Sequence, residues 1–209
     1  MRRVLIVGAA LIAGLSAAAV AQAEPLPCSG DFFSQAQDDL AAYRVSAPKT
    51  NFYNDIPSCP GQASCRMKSY VVAKDVVLVS GVDDGWACAM FVGKTSFTHG
   101  WLRVSDLAKL PPPAAKPTDW AGTWFVGEET QITISRDGNG LRASGDTTSP
   151  RPSHPTGGFD GVLAADGPRA RYSDDLCVVR FRRFDRYLIV DDNDRCGGMG
   201  VSFDGVYTR

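Results

Sequence analysis

The 209-residue chain is poor in histidine, with only His99 and His154, and it has no lysine from residue 117 onward. Acid–base and nucleophilic catalysis needs a base, most often histidine, oriented by a third group within hydrogen-bond reach of a nucleophile. His99 stands in a polar loop before Trp101, and His154 lies in "SPRPSHPTGG", a stretch that does not hold a side chain still. No catalytic residue is expected from either. A basic excess is lacking as well, because 22 Lys and Arg face 23 Asp and Glu. Nucleic acid is thereby excluded as the main partner, since phosphate binding needs clear positive charge. No spacing of Cys and His fits a zinc site, and neither a metal nor a cofactor is expected. After residue 23 no apolar run approaches the length that crosses a bilayer, about 20 residues.

What is present first is an address. "MRRVLIVGAALIAGLSAAAVAQA" sets Arg2 and Arg3 before an apolar stretch and ends on Ala21-Gln22-Ala23, the pattern of a secretory signal peptide over residues 1–23. Its removal takes two arginines, so the net charge of −1 becomes −3 in the mature chain. The expected location is periplasmic or secreted. In an oxidising compartment the six cysteines read as disulfides. Cys177–Cys196 is expected because "YLIV" at 187–190 pairs back on "CVVRF" at 177–181 and brings both cysteines to adjacent segments. For the other four, Cys59–Cys65 with Cys28–Cys88 is favoured over Cys28–Cys59 with Cys65–Cys88.

Along the chain, residues 24–64 are polar, with helical spacing in "DFFSQAQDDLAAYRV" through Phe32, Phe33, Ala36, Leu40 and Tyr43. This predicts a short N-terminal helix, then an irregular, disulfide-tied segment. Residues 65–110 alternate apolar and polar positions and form a first small β-unit. The proline-rich linker at 111–118 is a semi-rigid spacer and predicts two separate cores with few contacts between them. Residues 119–209 offer about eight short strands broken by turns, an antiparallel β-barrel or sandwich. Alternation assigns Ile132, Ile134, Leu141, Ala143, Cys177, Val179, Phe181, Val201, Phe203 and Tyr207 to its inside. The expected fold class is all-β in two small units.

The succession "YVVAKDVVLVSG", "GWACAMF" and "GWLRVSDL" resembles a bacterial SH3-like domain of exported proteobacterial envelope proteins, over about residues 66–110. Trp86, Gly100, Trp101 and Leu102 carry the match. The resemblance implies a small barrel that recognises a peptide or a peptidoglycan component. The second unit opens "DWAGTW" and closes "DDNDRCGGMGVSFDGVYTR"; it resembles C-terminal β-domains of uncharacterised exported proteins, some with a lysozyme-inhibitor-like region. Trp120-x-Gly122-x-Trp124 also resembles the opening of small ligand-carrying barrels such as lipocalins.

Trp101 follows a polar loop and is expected partly exposed, where it would form a ligand platform with Tyr70, Phe97 and His99; the alternative is that it closes the core of the small barrel. Trp86 alternates with Cys88 and Met90 and is expected in the core. Arg180 and Arg182 would make an anion-binding fork if they share an open face. Fourteen acidic residues against eleven arginines after residue 117 favour cross-strand Arg–Asp pairs instead. Asp191, Asp192 and Asp194 gather oxygens of the kind a hard cation takes, yet without the spacing of a calcium loop, and a tight turn selects the same residues. The expected function is a non-enzymatic binding protein whose partner is peptidoglycan or an envelope protein. A soluble inhibitor or sensor of an envelope enzyme, acting through the second unit, is the alternative; an envelope hydrolase comes third.

Overall fold

The computed structural model describes residues 27–30, 32–35, 38–93, 97–111 and 120–209. The expected signal peptide and most of the expected linker, from residue 112 to 118, lie outside the described residues. Period-2 alternation becomes fifteen strands, and the only α-helix among the described residues is the single turn α1, Phe32–Gln35. The first unit contains β1 (Ala41–Val45), β2 (Lys49–Tyr53), β3 (Arg66–Val72), β4 (Val76–Asp83), β5 (Trp86–Val92), β6 (Phe97–Arg103) and β7 (Leu107–Lys109). These pair as one antiparallel sheet in the order β3-β2-β6-β5-β4-β1-β7, curved into a half-barrel.

The helical spacing around Leu40 and Tyr43 is therefore overruled. β1 lies between β4 and β7, so its backbone finds ladder partners on both sides, which outweighs the local gain of a short helix. The stretch 24–64, read as irregular after its helix, contributes β1 and β2 to the sheet. At Gly100 the backbone of β6 crosses close to β2. A Cβ there would sit 2.7 Å from the Tyr53 carbonyl oxygen, and φ is +148°, so the position requires glycine.

The second unit is a nearly closed barrel of eight strands: β8 (Gly122–Val126), β9 (Thr130–Asp137), β10 (Gly140–Thr148), β11 (Thr156–Asp166), β12 (Arg169–Ser173), β13 (Val178–Phe184), β14 (Tyr187–Asp192) and β15 (Gly205–Tyr207). Each strand from β9 onward pairs antiparallel with the one before it. The seam is joined by Phe125 and Thr208, whose amides donate to each other's carbonyls at 2.8 and 3.0 Å. Every residue assigned inward by alternation is buried. The interior is filled by Trp120, Trp124, Phe159, Tyr172, Phe181, Phe203 and Tyr207 with aliphatic neighbours, so it is a packed core. Gly145 makes room for it, because a Cβ there would meet the Phe159 ring at 2.3 Å.

Three disulfides staple the chain: Cys28–Cys88, Cys59–Cys65 and Cys177–Cys196. The last pair has a Cα separation of 4.6 Å, inside the range a disulfide spans. The expectation of two cores with few contacts between them does not hold. A third cluster joins Phe33, Leu40, Leu78, Cys88, Met90 and Trp101 of the first unit to Phe184, Tyr187, Ile189 and Val206 of the barrel. β14 explains it. All six of its residues are buried, with Leu188 and Val190 in the barrel core and Tyr187 and Ile189 in the shared cluster.

Candidate functional site

β6 sets out the candidate residues in a graded row. Its residues Phe97, His99 and Trp101 oppose Val92, Met90 and Cys88 of β5, and alternate residues of a strand share a face. Trp101 is 7% exposed, His99 is half-buried and Phe97 is 53% exposed. The expected roles of the two tryptophans are reversed. Trp101 lies opposite the Cys28–Cys88 disulfide on the face that the barrel covers, and its indole N–H donates to Asp55 Oδ1 at 2.8 Å. Trp86 does share the face of Cys88 and Met90, but it sits at the strand end and is only half-buried. There it meets Tyr53 edge-on at 4.7 Å, under the Arg103 guanidinium at 4.8 Å.

Phe97 and His99 line a cleft of about 450 Å³ with Ile56 and Met67 as apolar neighbours and Asn54, Asp55 and Ser69 as polar ones. The two rings stack at a centroid distance of 6.2 Å. Asp55 is the one carboxylate among these lining residues, and its other oxygen accepts the Cys28 amide at 2.5 Å. The disulfide-bound N-terminal segment, Asp55 and Trp101 thus make a floor tied by a covalent bond and two hydrogen bonds, and the Phe97 ring, beside His99 and Gly30, keeps about half of its surface exposed. Tyr70 is not among the lining residues; it is 52% exposed, with the Lys49 ammonium 3.9 Å from its ring centre. Asp55 escaped sequence reasoning because "FYNDIPSC" carries no spacing that singles it out.

In the barrel, Arg180 forms an ion pair with Asp191, its cross-strand partner. Arg182 lies 5.0 Å from the Phe184 ring, opposite Arg169, which is held by Asp38 at 2.7 Å. Burial, then the Arg169 charge, holds the Arg182 guanidinium below its ordinary pKa. Cross-strand pairing thus engages Arg180, in keeping with the favoured alternative. The acidic run is likewise used by its own chain. Asp192 accepts the amides of Phe203 at 2.5 Å and Asp194 at 2.6 Å, while its own amide donates to Asp204 at 2.7 Å. Burial raises the pKa of Asp192 and pushes the Asp204 carboxyl up to about 6. Among the described residues no group of three His, Cys, Asp or Glu is placed to hold a metal ion. All six cysteines are in disulfides, which leaves no thiol nucleophile. In comparisons with known proteins, no family model, no curated protein and no solved structure matches the chain.

Proposed function

We propose that the protein is a non-enzymatic binding protein of the periplasm or the extracellular space, whose first unit is an SH3-like module that recognises a peptide or a peptidoglycan stem. The observation that carries this reading is the exposed Phe97 ring beside His99 and Asp55, on a floor fixed by a disulfide. A mostly exposed aromatic ring on a rigid scaffold adds contact area to a ligand at little entropic cost. Asp55 suits an amine, and Ile56 and Met67 suit a small aliphatic side chain, the two features of a stem peptide. Purified mature protein is incubated with insoluble peptidoglycan and, separately, with periplasmic extract. Phe97→Ala is expected to lose wall binding by about tenfold, roughly 1.4 kcal/mol, with an unchanged melting temperature. Equal retention of both proteins on the wall would overturn the reading. The inhibitor alternative rests on Met199, 86% exposed in the loop that follows Cys196. Capture of an envelope enzyme from the extract, lost in Met199→Asp, favours that reading instead.

A further inference from the structure

A second cleft, of about 700 Å³, opens between the two units and is lined by Phe91, Val92, Gly93, Arg186, Thr208 and Arg209. Its two arginines are held in place by the fold. Phe184 pairs with Tyr187, so Asp185 and Arg186 form a two-residue turn at the barrel rim, with Asp185 at φ +53°. From there Arg186 reaches across the boundary between the units, where its Nη2 donates to the Tyr187 hydroxyl at 2.8 Å and to the Val92 carbonyl at 3.3 Å. Arg209 follows the seam residue Thr208. Its Nη1 donates to the Ala121 carbonyl at 2.9 Å, and its guanidinium stacks 4.5 Å from the Trp124 ring.

Elsewhere in the barrel Arg142, Arg169 and Arg180 are all paired with aspartates. Neither Arg186 nor Arg209 forms an ion pair with the carboxylate of another residue among the described residues. A lone surface arginine needs no counter-ion. Two that are pinned by neutral acceptors at one cleft differ, because the ordering cost of each side chain is already met by the fold, and each guanidinium has five donors. The remaining donors suit an oxyanion, which arginine binds in a planar fork. Phe91 and Val92 add an apolar wall beside them.

We infer that this cleft binds an amphipathic anion, a carboxylate or phosphate head carried on a short aliphatic chain. The head lies between Arg186 and Arg209, within reach of the Thr208 hydroxyl, and the chain lies along Phe91 and Val92. The site is independent of the Phe97 groove. The test is isothermal titration of the oxidised mature protein with octanoate, octyl phosphate, inorganic phosphate and octanol. One or both alkyl anions are expected to bind with Kd below about 1 mM, and phosphate and octanol at least tenfold more weakly, since each lacks one half of the recognition. The stronger alkyl anion identifies the head group as carboxylate or phosphate. Arg209→Gln and Arg186→Gln should each weaken binding about tenfold. Arg142→Gln, a charge-matched change at an exposed pair, and Phe97→Ala should bind as the unaltered protein does. Circular dichroism checks that each variant is folded; if Arg186→Gln is not, Arg209→Gln, which loses one hydrogen bond to a loop carbonyl and the guanidinium contact with the Trp124 ring, decides alone. The inference fails if neither alkyl anion binds, if octanol binds as well as they do, or if folded Arg209→Gln binds undiminished.

Discussion

Replacing Asp204 by asparagine should make the protein more stable at neutral pH and remove the part of its stability change between pH 4 and 7 that this carboxyl contributes. Burial pushes the Asp204 carboxyl from 3.8 up to about 6; the neighbouring Asp192, Asp191 and Asp194 charges add to this and the Asp192 amide opposes it. The folded chain thus keeps a proton that the unfolded chain releases near pH 4. Below that pH both states are protonated and burial costs no charge. As pH rises through about 6 the folded state must ionise a half-buried group, and stability falls. A shift of roughly two units sets a ceiling of about 3 kcal/mol, and the solvent that still reaches the side chain reduces this to on the order of 1–2 kcal/mol. Asparagine keeps an oxygen for the Asp192 amide and carries no charge. For a chain of this size, Asp204→Asn should raise the melting temperature at pH 7 by about 2–8 °C. Below about pH 3.5 the two proteins should melt within about a degree of each other, because protonation of both states removes the charge difference. Scanning calorimetry at half-unit pH intervals reads this directly. A slope between pH 5 and 7 that is the same in both proteins would refute the argument. So would a wild-type protein that grows more stable across that interval.

Trp101→Ala should cost about 3–5 kcal/mol in urea unfolding, because it empties part of the shared cluster and strips Asp55 of a partner, whereas Trp86→Ala at the strand end should cost less than half as much. Equal losses would contradict the reversed roles of the two rings. Gly100→Ala forces a Cβ to 2.7 Å from the Tyr53 carbonyl and should destabilise by about 1–3 kcal/mol, read as a lower urea midpoint at unchanged slope. The shared cluster should make the two units melt together in one calorimetric transition. Ile189→Ala, expected to cost about 2–5 kcal/mol, should split it, and two transitions in the unaltered protein would show that the units are uncoupled.

The strand number of the barrel, its inward faces and the Cys177–Cys196 pairing were legible because they follow from alternation and turn chemistry within a few residues. The helix beyond Gln35 was misread for the opposite reason. The spacing of Phe33, Leu40 and Tyr43 is a local coincidence, and what decides the backbone of Ala41–Val45 is a pair of strands more than thirty and sixty residues away. Trp86 was assigned to the face of Cys88 and Met90 by the same alternation, and it does lie there. How far a covering surface extends over that face is not written locally, since Tyr187, Ile189 and Val206 supply it. One sign of that cover was present. "YLIV" is apolar at four successive positions, which marks a strand buried on both faces and not one that turns a polar side to water. Arg186 and Arg209 carry no such sign, because a two-residue turn and a seam strand bring them to one cleft only when the barrel closes.

The two hydrogen bonds between Phe125 and Thr208 also bear on the order of events during folding. Apart from a single bridge between Gly157 and Gly197, every other rung of the barrel joins strands adjacent in sequence, and such pairs can zip one after another as the chain emerges. The seam closes a span of some eighty residues, so its entropic cost is greater than that of any hairpin and it forms after them. Until β15 arrives, β8 and β14 each present an unpaired edge, the condition in which β-chains associate with one another. The same seam is where the finished barrel should first come apart. In native-state hydrogen exchange the Phe125 and Thr208 amides should exchange through an opening that leaves β10–β13 protected, as a sub-global opening distinct from complete unfolding.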